Sequence, residues 1–446
     1  MKPYYQTELG AIYHGDCLQV MHDMKSETID SIVTDPPYAL KFMGKGWDKV
    51  LPPMETWKEC LRVAKPGAML LAFGGTRTYH RLTCAIEDAG WEIRDCIMWV
   101  YGSGFPKSLD ISKAIDKATG AERELLGPTI HHSPGRKATN TLRSMRALYR
   151  GEDDGKYITA PATDEAKQWN GYGTALKPAY EPIVVAMKPL DGTFAGNALK
   201  WGVAGLNVDG CRLSGKDTTT RHSSSSSYMT RKIGEIQPKQ DTYPTGSDQG
   251  RFPANLIHDG SEECVRLFPV TKQQDKRRRK LAKMPPGMHG IYGSFSGTDS
   301  TPTYGDNGTA ARFFYCAKAS RSERDAGLEG AKYKHGGCFN GNNDMKNNCK
   351  IGRNPEVEVL PVKNNHPTVK PLKLMEYLVK LVSTPTGGML MDLFGGSGTT
   401  GLAAEKLGIK WTLIDNVRDY CDISANRISK GKAESGKGQA GNSPTT

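Results

Sequence analysis

Residues 387–415, "GGMLMDLFGGSGTTGLAAEKLGIKWTLID", constrain the fold more than any other stretch. A short apolar run enters Gly395, Gly396 and Gly398, a helix begins at about Thr399, and a second strand ends at Asp415. Glycines let a backbone turn tightly and come close to a ligand. The helix that follows presents free N–H groups and a positive dipole end. No Gly-Lys-Ser/Thr follows the turn, so it is not a P-loop. Instead an acid, Asp415, closes the next strand about 20 residues on, where a carboxylate accepts both hydroxyls of a ribose.

The amino-terminal end repeats the alternation. "AIYHGD" and "DSIVTDPPY" read as strands that end in turn chemistry. "METWKECLRVAKPG" reads as a helix with Trp57, Leu61 and Val63 apolar and Gly67 at its stop. "AMLLAFGG" and "WEIRDCIMWVYG" are apolar runs of buried-strand length with a helix between them, which implies a parallel sheet with crossover helices. Residues 102–180 lose the pattern, "YEPIVVAMKP" restores one strand, and 190–360 are glycine-rich, polar and irregular. "HPTVKPLKLMEYLVKLVS" then places Leu374, Tyr377, Leu378 and Leu381 at helical spacing. One sheet assembled from both termini accounts for this order better than two domains. The expected core is therefore 1–101 with 361–429 and the strand 181–189, interrupted by an insertion at 102–180 and by 190–360. The polar tail 430–446 is expected to be disordered.

In "DSIVTDPPY" the two prolines cannot donate to a sheet ladder, so the strand must stop there. A carboxylate and a phenol are left at its carboxyl end, where open α/β sheets bind ligands. A nucleoside-containing cofactor suits the glycine turn and Asp415, and S-adenosylmethionine is one such molecule.

Lys and Arg number 60 against 48 Asp and Glu, and the resulting charge of +12 favours an anionic partner, nucleic acid first. The ten cysteines include no C-x-x-C pair, which argues against a disulfide framework or a Cys-type zinc site; no metal is expected. The first residues lack the apolar core of a signal peptide, and no run of about 18 apolar residues occurs, so a membrane span is not expected.

"DPPY" at 35–38, "HPTVKP" at 366–371 and "DLFGGSGTTG" at 392–401 resemble the signature set of DNA amino-methyltransferases. Their order is similar to the permuted β class of that family. "GDCLQVM", "GFPKSLDISKAIDK", "KPAYEPIVVAMKPL", "WGVAGLNVDGCRL", "FPANLIHDG" and "RFFYCAKASRSERDAGL" resemble a phage and prophage branch of it. Leu393 stands where the family usually has Pro, and Asp415 where it usually has Glu. The resemblance implies a Rossmann-like α/β methyltransferase fold, mostly parallel and circularly permuted, with residues 190–360 as an irregular inserted target-recognition region. It implies S-adenosylmethionine as cofactor and double-stranded DNA as substrate. It also implies a bacterial or phage-infected cytoplasm and the restriction-modification class of methyltransferases. A homodimer is carried by resemblance alone.

The exocyclic amine of adenine or cytosine is a poor nucleophile, because its lone pair is delocalised into the ring. Acceptors for its N–H groups localise that density, and the Asp35 carboxylate and Pro36 carbonyl are the expected ones, held rigid by Pro36-Pro37. The base must leave the duplex, and Tyr38 gives it an aromatic surface. Resemblance assigns Asp392, Phe394, Gly395, Gly396, Ser397, Gly398, Thr399 and Asp415 to the cofactor pocket. Asp16 would meet the adenine end, with a strand-end cap as its plainer role; His366, Thr368 and Lys370 would border the methionine end, with a solvated surface role as the alternative for Lys370. The basic run Lys276, Arg277, Arg278, Arg279, Lys280 reads as a phosphate-contacting strip, a solvated run or an import-like patch. No Pro-Cys dipeptide occurs, which argues against cytosine-C5 chemistry. Asp at the head of DPPY leans toward N6-adenine, with N4-cytosine as the alternative. RNA or protein-amide methylation and an inert DNA-binding module are the other readings.

Overall fold

The structure, a computed structural model, describes residues 1–40, 48–102, 104, 108–128, 157–213, 250–271, 308–316 and 369–439. The chain divides into two compact units, Met1–Gly102 with Tyr180–Thr446, and Ser103–Ala179.

The larger unit is built on a ten-stranded sheet. Its strands in chain order are β1 Tyr5–Gln6, β2 Gly10–His14, β3 Ile29–Thr34, β4 Ala64–Phe73, β5 Glu92–Val100, β6 Tyr180–Met187, β7 Leu256–His258, β8 Tyr315–Cys316, β9 Met389–Asp392 and β10 Lys410–Asp415. Across the sheet they run β1-β2-β10-β9-β3-β4-β6-β5-β7-β8. From β2 to β4 every neighbour is parallel, β6 runs antiparallel between β4 and β5, and β7 and β8 return to parallel. The fold is thus a mostly parallel, Rossmann-like α/β sheet, and the two carboxyl-terminal strands lie inside the amino-terminal ones.

Burial explains why the strands were legible. All six residues of β3 are buried, as are nine of the ten in β4, so both faces are covered and the sequence reads as continuous apolar runs. On one face Ile32, Leu70 and Ala72 pack with Trp57, Cys60 and Ile86 from helices Met54–Val63 and Tyr79–Asp88. On the other, Val33, Leu71, Phe73 and Ile183 pack with Leu374, Leu378 and Leu402 from helices Leu372–Val382 and Thr399–Leu407.

Three expectations shift. The helix over "METWKECLRVAKPG" stops at Val63, and Gly67 lies inside β4 with φ +77° rather than at a helix end. A Cβ there would sit 2.5 Å from the amide nitrogen of Asn197, which donates to the Pro66 and Val203 carbonyls. Gly67 therefore marks the bulge where the β3–β4 register slips between Ile29 and Ser31. Second, residues 190–360 contribute β7 and β8, strands of three and two residues that are too short to show periodicity. Third, helix Arg418–Gln439 passes Lys430 and reaches Gln439, inside the stretch whose composition suggested disorder. Lys432, Ala433 and Glu434 are strong helix formers and simply extend a helix anchored by buried Cys421, Ser424 and Ile428. Among the described residues no helix is long and apolar enough to cross a membrane.

The smaller unit holds helix Ile111–Thr119, helix Asp164–Gln168 and an antiparallel ladder of Leu125–Pro128 with Tyr157–Thr159. Asp116 ties these together, accepting from Arg123, Ala162 N–H and Thr163 N–H. Desolvation opposes its charge, but those donors hold its carboxyl down at about 2.

Candidate active site

The strand β3 delivers Asp35 to the carboxyl edge of the sheet, and the following loop is pinned at several points. The Tyr38 N–H donates to Asp48 Oδ1 at 2.8 Å, and the Tyr38 carbonyl accepts from Thr78 Oγ1 at 2.8 Å. Gly75 leaves room for the Tyr38 ring, since a Cβ there would stand 3.2 Å from it. Ala39, the next residue, has φ +57°, a left-handed conformation that side chains seldom adopt. Such strain persists only where the surroundings fix it.

Four polar side chains meet at this edge. The Tyr38 hydroxyl lies 2.7 Å from Asp35 Oδ1 and 3.1 Å from Glu181 Oε2. Lys370 Nζ lies 3.0 Å from Asp35 Oδ2 and 2.9 Å from Glu181 Oε2, and 3.1 Å from the Tyr38 hydroxyl. The ammonium also sits 4.7 Å above the centre of the Phe73 ring. Only 9% of the Lys370 side chain is exposed, so it is not a solvated surface lysine. Burial disfavours its charge, yet the Asp35 and Glu181 carboxylates outweigh that and hold its pKa above the ordinary lysine range. Burial, then the same two carboxylates, push the Tyr38 phenol well up; burial and Glu181 push Tyr101 up to about 12. Both phenols therefore remain protonated at neutral pH.

The glycine turn follows β9 one strand away. Gly396 and Gly398 take φ +52° and +74°, and helix Thr399–Leu407 starts at Gly398. Gly398 also abuts Ser424, whose Cβ an added methyl would meet at 2.7 Å. The last helix braces the turn from behind: Ser424 Oγ donates to the Gly396 carbonyl at 2.9 Å, and Arg427 donates to the Ser397 carbonyl at 2.6 Å and to Ser397 Oγ and Thr399 Oγ1 at 3.0 Å each. Phe394 is partly exposed beside the turn. Asp415 ends β10 and accepts from the Gly396 and Val417 N–H groups at 2.7 and 2.8 Å. Desolvation raises its carboxyl to about 6.

Asp392 couples the two loops. Its carboxylate accepts from Thr34 Oγ1 at 2.8 Å, from Thr400 Oγ1 at 2.6 Å and from the Phe394 N–H at 3.1 Å. Thr34 immediately precedes Asp35, and Thr400 opens the helix after the glycines. Burial raises Asp392 to about 6 as well. Asp392 thus stands inside the scaffold, clamping the loops rather than facing outward.

Asp16 follows β2, which pairs with β10, and its side chain caps helix Cys17–His22 by accepting from the Leu18 and Gln19 N–H groups. Pro36 is buried and Pro37 partly so. His366, Thr368 and the run from Lys276 to Lys280 lie outside the described residues. Glu181 lies within the run "KPAYEPIVVAMKPL" without being singled out there, and Arg427 carries no motif signal; what marks them is an acid at the mouth of an apolar strand and a cation inside a helix that is otherwise packed. Among the described residues no cluster of His, Cys, Asp or Glu could hold a metal ion.

A family model described as DNA methylase, of the N6/N4 type, matches residues 29–426. The type II methyltransferase M.BamHI of Bacillus amyloliquefaciens is 33% identical over 84 residues, which is 16% of this chain and 19% of that protein. M2.LlaDCHI of Lactococcus lactis subsp. cremoris is 42% identical over 66 residues, 15% of this chain and 24% of that protein. The chain therefore aligns with less than a quarter of the length of either relative. Among solved structures, the cytosine-N4-specific PvuII DNA methyltransferase aligns with TM-score 0.40 and 15% identity over 99% of this chain and 96% of its own. The M1.HpyAVI–SAM complex aligns with TM-score 0.36 and 13% identity over 94% of this chain and 100% of its own.

Proposed function

Because the chain belongs to the N6/N4 DNA methylase family, we propose that it transfers a methyl group from S-adenosylmethionine to the N6 amine of adenine in double-stranded DNA. The observation that carries this is the Asp392 clamp, which sets an Asp-Pro-Pro-Tyr loop beside a glycine turn across 358 residues of sequence.

The residues around the turn suit the cofactor. Asp415 is a partly buried acid whose remaining lone pairs can accept ribose hydroxyls, and the glycines let a ligand approach the backbone. When bound, S-adenosylmethionine supplies an electrophilic methyl on a sulfonium. Gly395 to Thr399 would border it, with Phe394 against its apolar surface.

Asp35 and the Pro36 carbonyl would accept the two N–H groups of the flipped amine. As these acceptors draw the protons, electron density would localise on nitrogen and make it able to accept the methyl that the sulfonium would supply, the neutral thioether being left behind. The nitrogen then gives up one proton to solvent. Tyr38 would stack on the base, its ring fixed through its hydroxyl. Adenine rather than cytosine is proposed from the Asp at the head of the motif. Target reading is assigned to residues 190–360.

Digesting DNA methylated by the protein to nucleosides tests this. N6-methyldeoxyadenosine is expected; N4-methyldeoxycytidine in its place would overturn the adenine assignment.

A further inference from the structure

We propose that Glu181 is a positioning residue of this site, sharing Lys370 with Asp35 in a closed ion cage that keeps Asp35 aimed at the target amine. Its bearing on methyl transfer rests on the function proposed above; the cage itself stands on geometry.

An ammonium has three protons, and Lys370 directs its Nζ at three acceptors: Asp35 Oδ2, Glu181 Oε2 and the Tyr38 oxygen, at 3.0, 2.9 and 3.1 Å. None is left for a substrate. Lys370 is a fixed counter-ion in this arrangement. The Tyr38 hydroxyl has one proton, and its shorter contact, 2.7 Å against 3.1 Å, gives that proton to Asp35. Each Asp35 oxygen then holds one donor and keeps a lone pair for an incoming N–H group.

Glu181 is well placed to hold this geometry. It lies at the start of β6, opposite Trp99 of β5, and the next residue, Pro182, accepts from the Gly74 N–H at 2.9 Å. A carboxylate on a paired strand between two others moves little. Among the described residues, the other groups facing the cage are Asp48 at the Tyr38 N–H, Tyr101 after β5, Phe73 on β4, and Asp392, whose carboxyl feels the charge of Asp35. Among the described residues Lys370 is the one cation paired with either Asp35 or Glu181.

One cation between two carboxylates has consequences of opposite sign. Without Lys370, the two acids share a desolvated space and compete for a proton, as in a carboxylate dyad. Without the Glu181 charge, Lys370 belongs wholly to Asp35, which then ionises more readily. K370M should therefore move the acid limb of the pH–rate profile up by about one unit or more, and E181Q should move it down. E181Q should also lower kcat by about tenfold while leaving KM for S-adenosylmethionine within about twofold, since Glu181 contacts neither loop glycine nor Asp415.

The decisive test is a thermal melt of wild type, E181Q, K370M and the double variant between pH 5 and 8, without cofactor or DNA. K370M should melt at least about 3 °C below wild type at pH 8, with the deficit narrowing toward pH 5 as one carboxylate takes a proton. Adding E181Q to K370M should restore at least half of the pH 8 deficit. Additive losses with no pH dependence would overturn the cage. If K370M does not fold, E181Q alone decides: a wild-type kcat and acid limb would overturn the proposal. Coupled melts with no methyl transfer by wild type would support the cage and remove the methyl-transfer reading alone.

Discussion

Asp415 is the residue whose state is most open to measurement. Its carboxyl is raised to about 6 by desolvation, so the folded form holds its proton more tightly than an unfolded chain would. The sign follows from linkage: the native state carries more protons between the ordinary aspartate value near 4 and about 6, and stability falls as pH rises through that window. Asp415→Asn should therefore gain stability relative to wild type as pH increases from 4.5 to 7, read as the difference in melting midpoints. Cofactor binding runs the other way. In the proposed cofactor site the ionised Asp415 carboxylate would accept two ribose hydroxyls, so affinity should weaken up to about tenfold per unit as pH drops below 6. Calorimetric titration at several pH values checks this, and the same series on Asp415→Asn should be flat. The place of Asp415 at a strand end was legible because its spacing from the glycines is a backbone property of a strand–helix–strand unit. Glu181 was not, because its partner Lys370 stands 189 residues away and only the sheet brings them together.

At the scale of elements, the glycine turn depends on the helix behind it. Gly398 combines φ +74° with a 2.7 Å approach to Ser424, so Gly398→Ala must strain the backbone and push the last helix. A loss of about 1–3 kcal/mol is expected in chemical denaturation, with weaker cofactor binding. Arg427→Met removes three buried hydrogen bonds to Ser397 and Thr399 and should destabilise by about 2–4 kcal/mol, read the same way. Helix Thr399–Leu407 begins where the sequence placed it, since glycines punctuate its start. Gly67 misled for the same reason. In sequence a glycine after a helical stretch looks like a stop, whereas here it is the bulge that lets Asn197 reach the Pro66 carbonyl. Strands β3 and β4 were legible through their double-sided burial; β7 and β8 are held by neighbours rather than by their own pattern.

At the scale of the molecule, the order of strands makes the site. β9 and β10 come last in the chain but lie between β2 and β3, so the carboxyl ends of β3 and β9 are side by side. The Asp35 loop and the glycine turn are then held in register by Asp392, despite standing at opposite ends of the sequence. The central claim is that these two loops form one methyl-transfer site in which Asp35 acts on the amine and the turn holds the donor. The most direct measurement compares wild type with Asp35→Ala for transfer of labelled methyl to DNA and, in parallel, for calorimetric binding of S-adenosylmethionine. Transfer is expected to fall by about 100- to 1,000-fold with cofactor affinity within about threefold of wild type. Undiminished transfer by Asp35→Ala would contradict the account.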